Sequence, residues 1–143
     1  MAKEKEMRLT VFNVKDINLS EYQKSYDRLI EEMGTSIPLD DAKQNTFVAV
    51  FNGSILGVCS ANENTINYFY VLEVTRHRGV GTYLFTQSVS SMLKTYKTVR
   101  VSEKLYQSNQ ILKDFINIFD PVNFEIFELN FKGFESNMNK NQH

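Results

Sequence analysis

The chain has little of several things, and each shortage removes a class of function. A single cysteine, Cys59, excludes an internal disulfide, and the two histidines, His77 and His143, cannot build a zinc or iron cluster with one distant thiol, so no metal is expected. Sixteen Lys and Arg against seventeen Asp and Glu leave a net charge of −1. That balance gives no overall positive field for a polyphosphate backbone, and nucleic acid is not an expected partner. No apolar run approaches the roughly 20 residues of a membrane span, and the opening MAKEKEMR lacks the apolar stretch of a secretory signal. These two absences predict a cytoplasmic protein with no membrane partner. What remains is an average globular composition, 42% hydrophobic and 23% charged over 143 residues. One domain is predicted over residues 1–134. Its core draws on eleven phenylalanines and seven tyrosines, and Glu135–His143 is predicted as a disordered tail with little to bury.

Hydrophobic period divides the domain into elements. Met7–Val14 (MRLTVFNV) reads as a first strand inside a sheet. Asn18 follows as a helix N-cap with Glu21 three residues on, and Leu19, Tyr22, Tyr26, Leu29, Ile30 and Met33 share one helical face before Gly34. Thr35–Gln44, with Pro38 and the adjacent acids Asp40 and Asp41, is a loop or a broken second helix. Thr46–Phe51, the turn pair Asn52-Gly53 and Ile55–Ser60 predict an antiparallel hairpin, and Ile66–Val74 extends it to a three-stranded meander. From Val80 the period turns helical, with Val80, Leu84, Ser88, Met92 and Tyr96 on one face. Val99 and Val101 mark a short strand, Asn109–Phe119 another amphipathic helix, and Val122–Phe131 a last strand after the Asp120-Pro121 break.

The chemistry concentrates in Phe69–Phe85, FYVLEVTRHRGVGTYLF, where a strand enters a loop holding Arg76, His77, Arg78, Gly79, Val80 and Gly81 and leaves it directly as a helix. Glycines remove side chains where backbone N–H groups point outward, and a helix N-terminus carries about half a positive charge. With two arginines beside it, the turn suits a phosphate or pyrophosphate. A short Gly-x-Gly alone would be no more than a connection with solvated arginines; its place between strand and long helix favours the anion. The Gly-x-x-x-x-Gly-Lys-Ser/Thr spacing of a P-loop is absent, and so is a Gly-x-Gly-x-x-Gly after a parallel first strand.

Arg-x-x-Gly-x-Gly, five residues after Val71 and followed by a long helix, resembles the acyl-coenzyme A loop of the GNAT acetyltransferase superfamily. The order of elements over about residues 7–131 is similar too. The resemblance implies an α/β fold with a GNAT-like mixed, mostly antiparallel sheet flanked by helices. It also implies transfer of an acetyl group from acetyl-CoA to a primary amine, on a small molecule or a protein, by direct attack on the thioester. The backbone of Phe69 and Val71 would hold the pantetheine arm, with the Val71 N–H near the thioester oxygen. The amides from His77 through Thr82, including those of Arg78, Gly79, Val80 and Gly81, would cradle the pyrophosphate beside the Arg76 and Arg78 charges. Asn109 matches the asparagine that opens the next helix and contacts the coenzyme.

Two positions depart from the family pattern. Asn67 stands where many members keep a glutamate base, and Ile116 where many keep a tyrosine acid. Glu103 and Tyr106 are the nearest catalytic substitutes, with Tyr68 and Tyr70 on the strand behind them. The departures keep open an alternative, a non-catalytic GNAT-like module that binds CoA or a protein partner. Asp40 and Asp41 either steer a cationic amine or form a solvated acidic turn. Cys59, between Val58 and Ser60 on a β-rich run, reads as core rather than nucleophile. The aromatic strand Val122–Phe131 predicts either a homodimer through its edge or an edge covered within one chain.

Overall fold

The computed structural model describes residues 8–76, 78–110, 112 and 126–128. Strand β1 (Thr10–Asn13) is followed by two 3-10 turns, helix α1 (Gln23–Met33), and the meander β2 (Gln44–Phe51), β3 (Ser54–Asn62) and β4 (Thr65–Val71). A 3-10 turn at Glu73–Thr75 leads to α2 (Val80–Met92), then β5 (Arg100–Ser102), α3 (Glu103–Ser108) and β6 (Ile126–Glu128). Among the described residues the six strands form one sheet in sequence order, antiparallel throughout except where β4 runs parallel to β5.

Period-2 alternation sends successive side chains to opposite faces, and each face is covered by one long helix. On one side Ala49, Cys59, Phe69 and Val71 meet Val80, Leu84, Phe85, Val89 and Met92 of α2. On the other Val48, Val50, Ile55 and Val58 meet Tyr26 and Leu29 of α1. The close seat of α2 depends on Gly57, where an added Cβ would lie 3.1 Å from the Tyr70 carbonyl and 3.2 Å from Leu84. The hairpin between β2 and β3 turns at Asn52 and Gly53, both with positive φ, as a two-residue turn of matching twist requires.

Several boundaries differ from the sequence pattern. The first strand lies at the edge of the described sheet rather than inside it and stops at Asn13, whose side chain accepts the Lys15 N–H and starts a 3-10 turn. Asn18 caps a 3-10 turn through the Ser20 N–H, and the regular helix starts only at Gln23. Helix α3 was not expected. Ser102 caps it by accepting the Leu105 N–H at 3.2 Å, and Leu105 and Tyr106 pack against the core beside α2. Most of the helix predicted at Asn109–Phe119, the tail Glu135–His143, and the strand predicted at Val122–Phe131 apart from Ile126–Glu128 lie outside the described residues. No helix among the described residues is long and apolar enough to cross a membrane.

Candidate functional site

One irregularity opens the site. Ser60 pairs with Tyr68 but Ala61 pairs with Ile66, so Asn67 is an extra residue on β4, a bulge that bends the strand. The parallel pairing with β5 covers only Thr65 with Arg100 and Ile66 with Val101, and ends at that bulge. Beyond it β4 and β5 diverge around a cavity of about 680 Å³, lined by Asn67–Val71, by Met33 and Thr35 at the end of α1, by Arg76, and by Lys104, Leu105 and Asn109 on the far side.

Beyond the bulge, the edge of β4 that faces away from β3 turns its backbone to this cavity. The Leu72 N–H donates to Leu56 O at 2.9 Å, which makes positions 72, 70 and 68 the ones bonded to β3. Phe69 and Val71 therefore aim their N–H and C=O groups the other way, into the cleft. Two side chains confirm that direction: Asn109 Nδ2 donates to Phe69 O and Arg76 Nε to Val71 O, both at 2.9 Å. Asn109 Oδ1 also accepts the Leu112 N–H at 3.0 Å, capping the turn that begins at Gln110.

Past Arg76, the chain reaches α2 through Gly79 at φ +85°, a left-handed conformation that residues with a Cβ adopt at a cost. Glycine offers the first-turn amides no side-chain cap. Those of Val80, Gly81 and Thr82 have no carbonyl four residues back within the helix. Arg78 and Gly79 are exposed, Gly81 and Thr82 half-buried and Val80 buried; His77 lies outside the described residues.

A second cluster links α1 to β4. The Glu32 carboxylate accepts from the Tyr70 hydroxyl at 2.9 Å and from the Glu73 N–H at 2.8 Å, while the Arg76 guanidinium stacks 5.0 Å above the Tyr70 ring. The Glu73 N–H holds the Glu32 carboxyl below its usual range, and desolvation followed by the Glu32 hydrogen bond pushes the Tyr70 hydroxyl up. Tyr70 thus stays a neutral donor turned to Glu32. Glu32 escapes a sequence reading because it reaches Tyr70 from 38 residues away.

A third cluster is polar and buried only at its middle, Gln44 and Ser60. Asp41 Oδ2 accepts from Asn62 Nδ2 at 3.3 Å, which also donates to Gln44 Oε1 at 3.1 Å. Gln44 Nε2 in turn donates to Ser60 Oγ at 2.9 Å and to Asn67 Oδ1 at 3.2 Å, at the cavity wall. Asp41 Oδ1 is engaged by the Lys43 N–H at 2.9 Å.

The remaining candidates stand apart from the cavity. Asp40 is exposed in its loop and Glu103 is exposed at the start of α3; neither lines the cavity, whereas the neighbours of Glu103, Ser102 and Lys104, do. Tyr106 packs against the core. Cys59 is fully buried, and burial pushes its thiol up to about 12. No group of three or more potential ligands among the described residues could hold a metal ion.

No protein-family model matches the chain, and no curated protein matches it in sequence. Solved structures do match. YhhK from E. coli, provisionally assigned as an N-acetyltransferase and solved with coenzyme A bound, is similar at 19% identity and a TM-score of 0.65, over 86% of this chain and 98% of that one. AtaTR bound with acetyl-CoA is similar at 13% identity and a TM-score of 0.60, over 91% and 98%. The aminoglycoside acetyltransferase meta-AAC0020, from an uncultured soil metagenomic sample and in complex with trehalose, is similar at 19% identity and a TM-score of 0.58, over 76% and 85%. The fold is that of the GNAT acetyltransferases, a mixed and mostly antiparallel sheet flanked by helices.

Proposed function

We propose that this protein transfers an acetyl group from acetyl-CoA to a primary amine, in the cytoplasm and without a metal. The observation that carries the reading is the cleft itself. A bulged β4 turns the backbone of Phe69 and Val71 toward a cavity, and the same strand leads through Arg76, Arg78 and Gly79 to a helix N-terminus with no side-chain cap. A pantetheine arm can add to the β4 edge as a strand does. The amides of Gly79–Thr82 and the two arginines suit the pyrophosphate, and Asn109 steadies the cleft by holding Phe69 O.

The Val71 N–H is then the donor for the thioester oxygen. As the neutral amine attacks, the C–N bond forms, negative charge builds on that oxygen, and the C–S bond breaks to release the thiolate. One such donor in a dry site is worth about 3–4 kcal/mol at the transition state. The amine proton passes to solvent at the open mouth, or by water to Glu103, and the thiolate takes its proton from water or Tyr106. A thiol that ionises near pH ~8.5 needs little help in leaving. Asp40, on its exposed loop, adds long-range negative charge for a cationic amine, and the last strand is the proposed seam of a homodimer.

Release of free thiol from acetyl-CoA across a panel of amines tests the reading directly. A second reading, a module that binds CoA without turning it over, is favoured by Asn67 in the bulge and by Glu103 lying off the cavity wall. Ligand-induced stabilisation with no thiol release for any amine would establish that second reading.

A further inference from the structure

The chain of amides that runs from Asp41 to Asn67 has a direction, and the direction is fixed by its charged end. Asn and Gln side chains present a donor at one end and an acceptor at the other, so a row of them can run either way. A carboxylate only accepts. Asn62 must therefore turn its NH₂ to Asp41, and the same NH₂ faces Gln44 Oε1. Gln44 is left with its NH₂ toward Ser60 and Asn67, and Asn67 with its Oδ1 toward Gln44. The middle of the row is closed to water: Gln44 is 2% exposed and Ser60 0%. Ser60 sits 2.6 Å from Thr46 Oγ1 and donates to Asn45 O at 3.3 Å, which satisfies its hydroxyl as the row stands. Shut away from water, a mismatched donor or acceptor costs more than it would in solvent. The orientation set at the surface is thereby carried to the cavity wall, where Asn67 is exposed and has its NH₂ left to face the cleft.

We propose that Asn67 is a specificity-determining residue that donates a hydrogen bond to an oxygen of the acceptor amine, and that Asp41, through Asn62 and Gln44, is a positioning residue that fixes that polarity. The inference rests on the acetyl-transfer reading and deepens it: the favoured acceptor carries an ether, carbonyl or hydroxyl oxygen within reach of its amino group. Asn67 has no proton-accepting role here, and the bulge places it to read substrate. A site that bonds an oxygen discriminates against analogues lacking it when the bound substrate shuts water away from the donor, whose hydrogen bond is then left unmet.

The test uses acceptors that differ by exchange of one CH₂ for oxygen, 2-methoxyethylamine and butylamine first, with the same exchange made on the best acceptor of the amine panel. The quantity read is the ratio of kcat/KM for the two, by thiol release. Asn67→Asp has the same shape but presents only acceptors, and is expected to lower the ratio at least tenfold while leaving acetyl-CoA stabilisation in place. Asp41→Asn is sharper. Its Oδ1 stays pinned by the Lys43 N–H, so the new NH₂ faces Asn62 and the row inverts, turning Asn67 Oδ1 to the cavity. A fall of at least threefold is expected from this exposed substitution. Glu21→Gln removes a charge of the same sign outside the row and away from the cavity, and is expected to leave the ratio where it is. A ratio unchanged within twofold in Asn67→Asp, with thiol release intact, overturns the inference. A change in Asn67→Asp but none in Asp41→Asn overturns the positioning role alone. No thiol release by the wild type with any amine overturns the acetyl-transfer reading, and this inference with it.

Discussion

Gly79 separates what the loop does for the fold from what it does for a ligand. An added Cβ there meets nothing within 4 Å, so substitution costs only the left-handed backbone, about 1–2 kcal/mol. Unfolding entropy of about 2.1 cal/mol/K per residue gives about 0.3 kcal/mol per degree over 143 residues. Gly79→Asp and Gly79→Asn should therefore both melt about 3–7 °C lower without ligand. Acetyl-CoA at 100 times its Kd adds about 2.7 kcal/mol, an upward shift of about 9 °C in the wild type. In Gly79→Asp a carboxylate would lie roughly 6 Å from two phosphate charges. At an effective dielectric of about 40 each contact costs about 1.4 kcal/mol, together near 100-fold in affinity. The same ligand concentration then equals Kd, and the shift drops to about 1 °C. Gly79→Asn has the same shape without the charge and should keep most of its shift. Thermal melts with and without acetyl-CoA read all three proteins. A full shift in Gly79→Asp, or an equal loss in Gly79→Asn, would refute the assignment of a diphosphate to this turn.

Asn109→Ala removes both the cap on Leu112 and the bond to Phe69 O, and should destabilise the protein by about 2 kcal/mol. Asn109→Asp keeps the cap but sets a carboxylate against Phe69 O, so its acetyl-CoA affinity should fall further than its stability. Raised folded pKa values mean that the unfolded chain releases protons first, so alkali destabilises. The Cys59 thiol, moved from 9.0 to about 12, should make stability fall from pH 9 upward with a slope approaching about 1.4 kcal/mol per pH unit. Urea titrations of Cys59→Ala should show that slope delayed until Tyr26, moved from 10.0 to about 12, begins to titrate. Glu32, held low, acts in the opposite sense: its stabilising contribution is present above the ordinary carboxyl value and is lost as pH falls through the lowered one, a loss absent in Glu32→Gln. Glu103→Gln and Tyr106→Phe should each reduce kcat less than tenfold, since neither lines the cavity; a hundredfold loss in either would mark a dedicated proton carrier.

One irregular residue sets the shape of the cleft. Had β4 continued without the bulge, its edge would have gone on pairing with β5, and the Phe69 and Val71 backbone would have been spent on the sheet. The bulge ends that pairing after two residue pairs and leaves an edge that a ligand can complete.

What local chemistry dictates could be read from the chain alone. The Asn52-Gly53 turn, the buried face of α2, the core position of Cys59 and the basic glycine loop entering a helix each depend on residues a few positions apart, where spacing and backbone conformation suffice. Asn109 could be placed through its resemblance to a known pattern, although the bond it makes to Phe69 O crosses 40 residues. Tertiary structure alone decided the rest. No pattern within β1 announces that it ends at the sheet edge, because edge or interior is a matter of which strands pair. The bulge at Asn67 is a difference in register between two strands, and neither strand carries it by itself. Glu32, Lys104 and the row from Asp41 to Asn67 come together only when the sheet forms, since a hydrogen bond depends on distance in space while a sequence records distance along the chain.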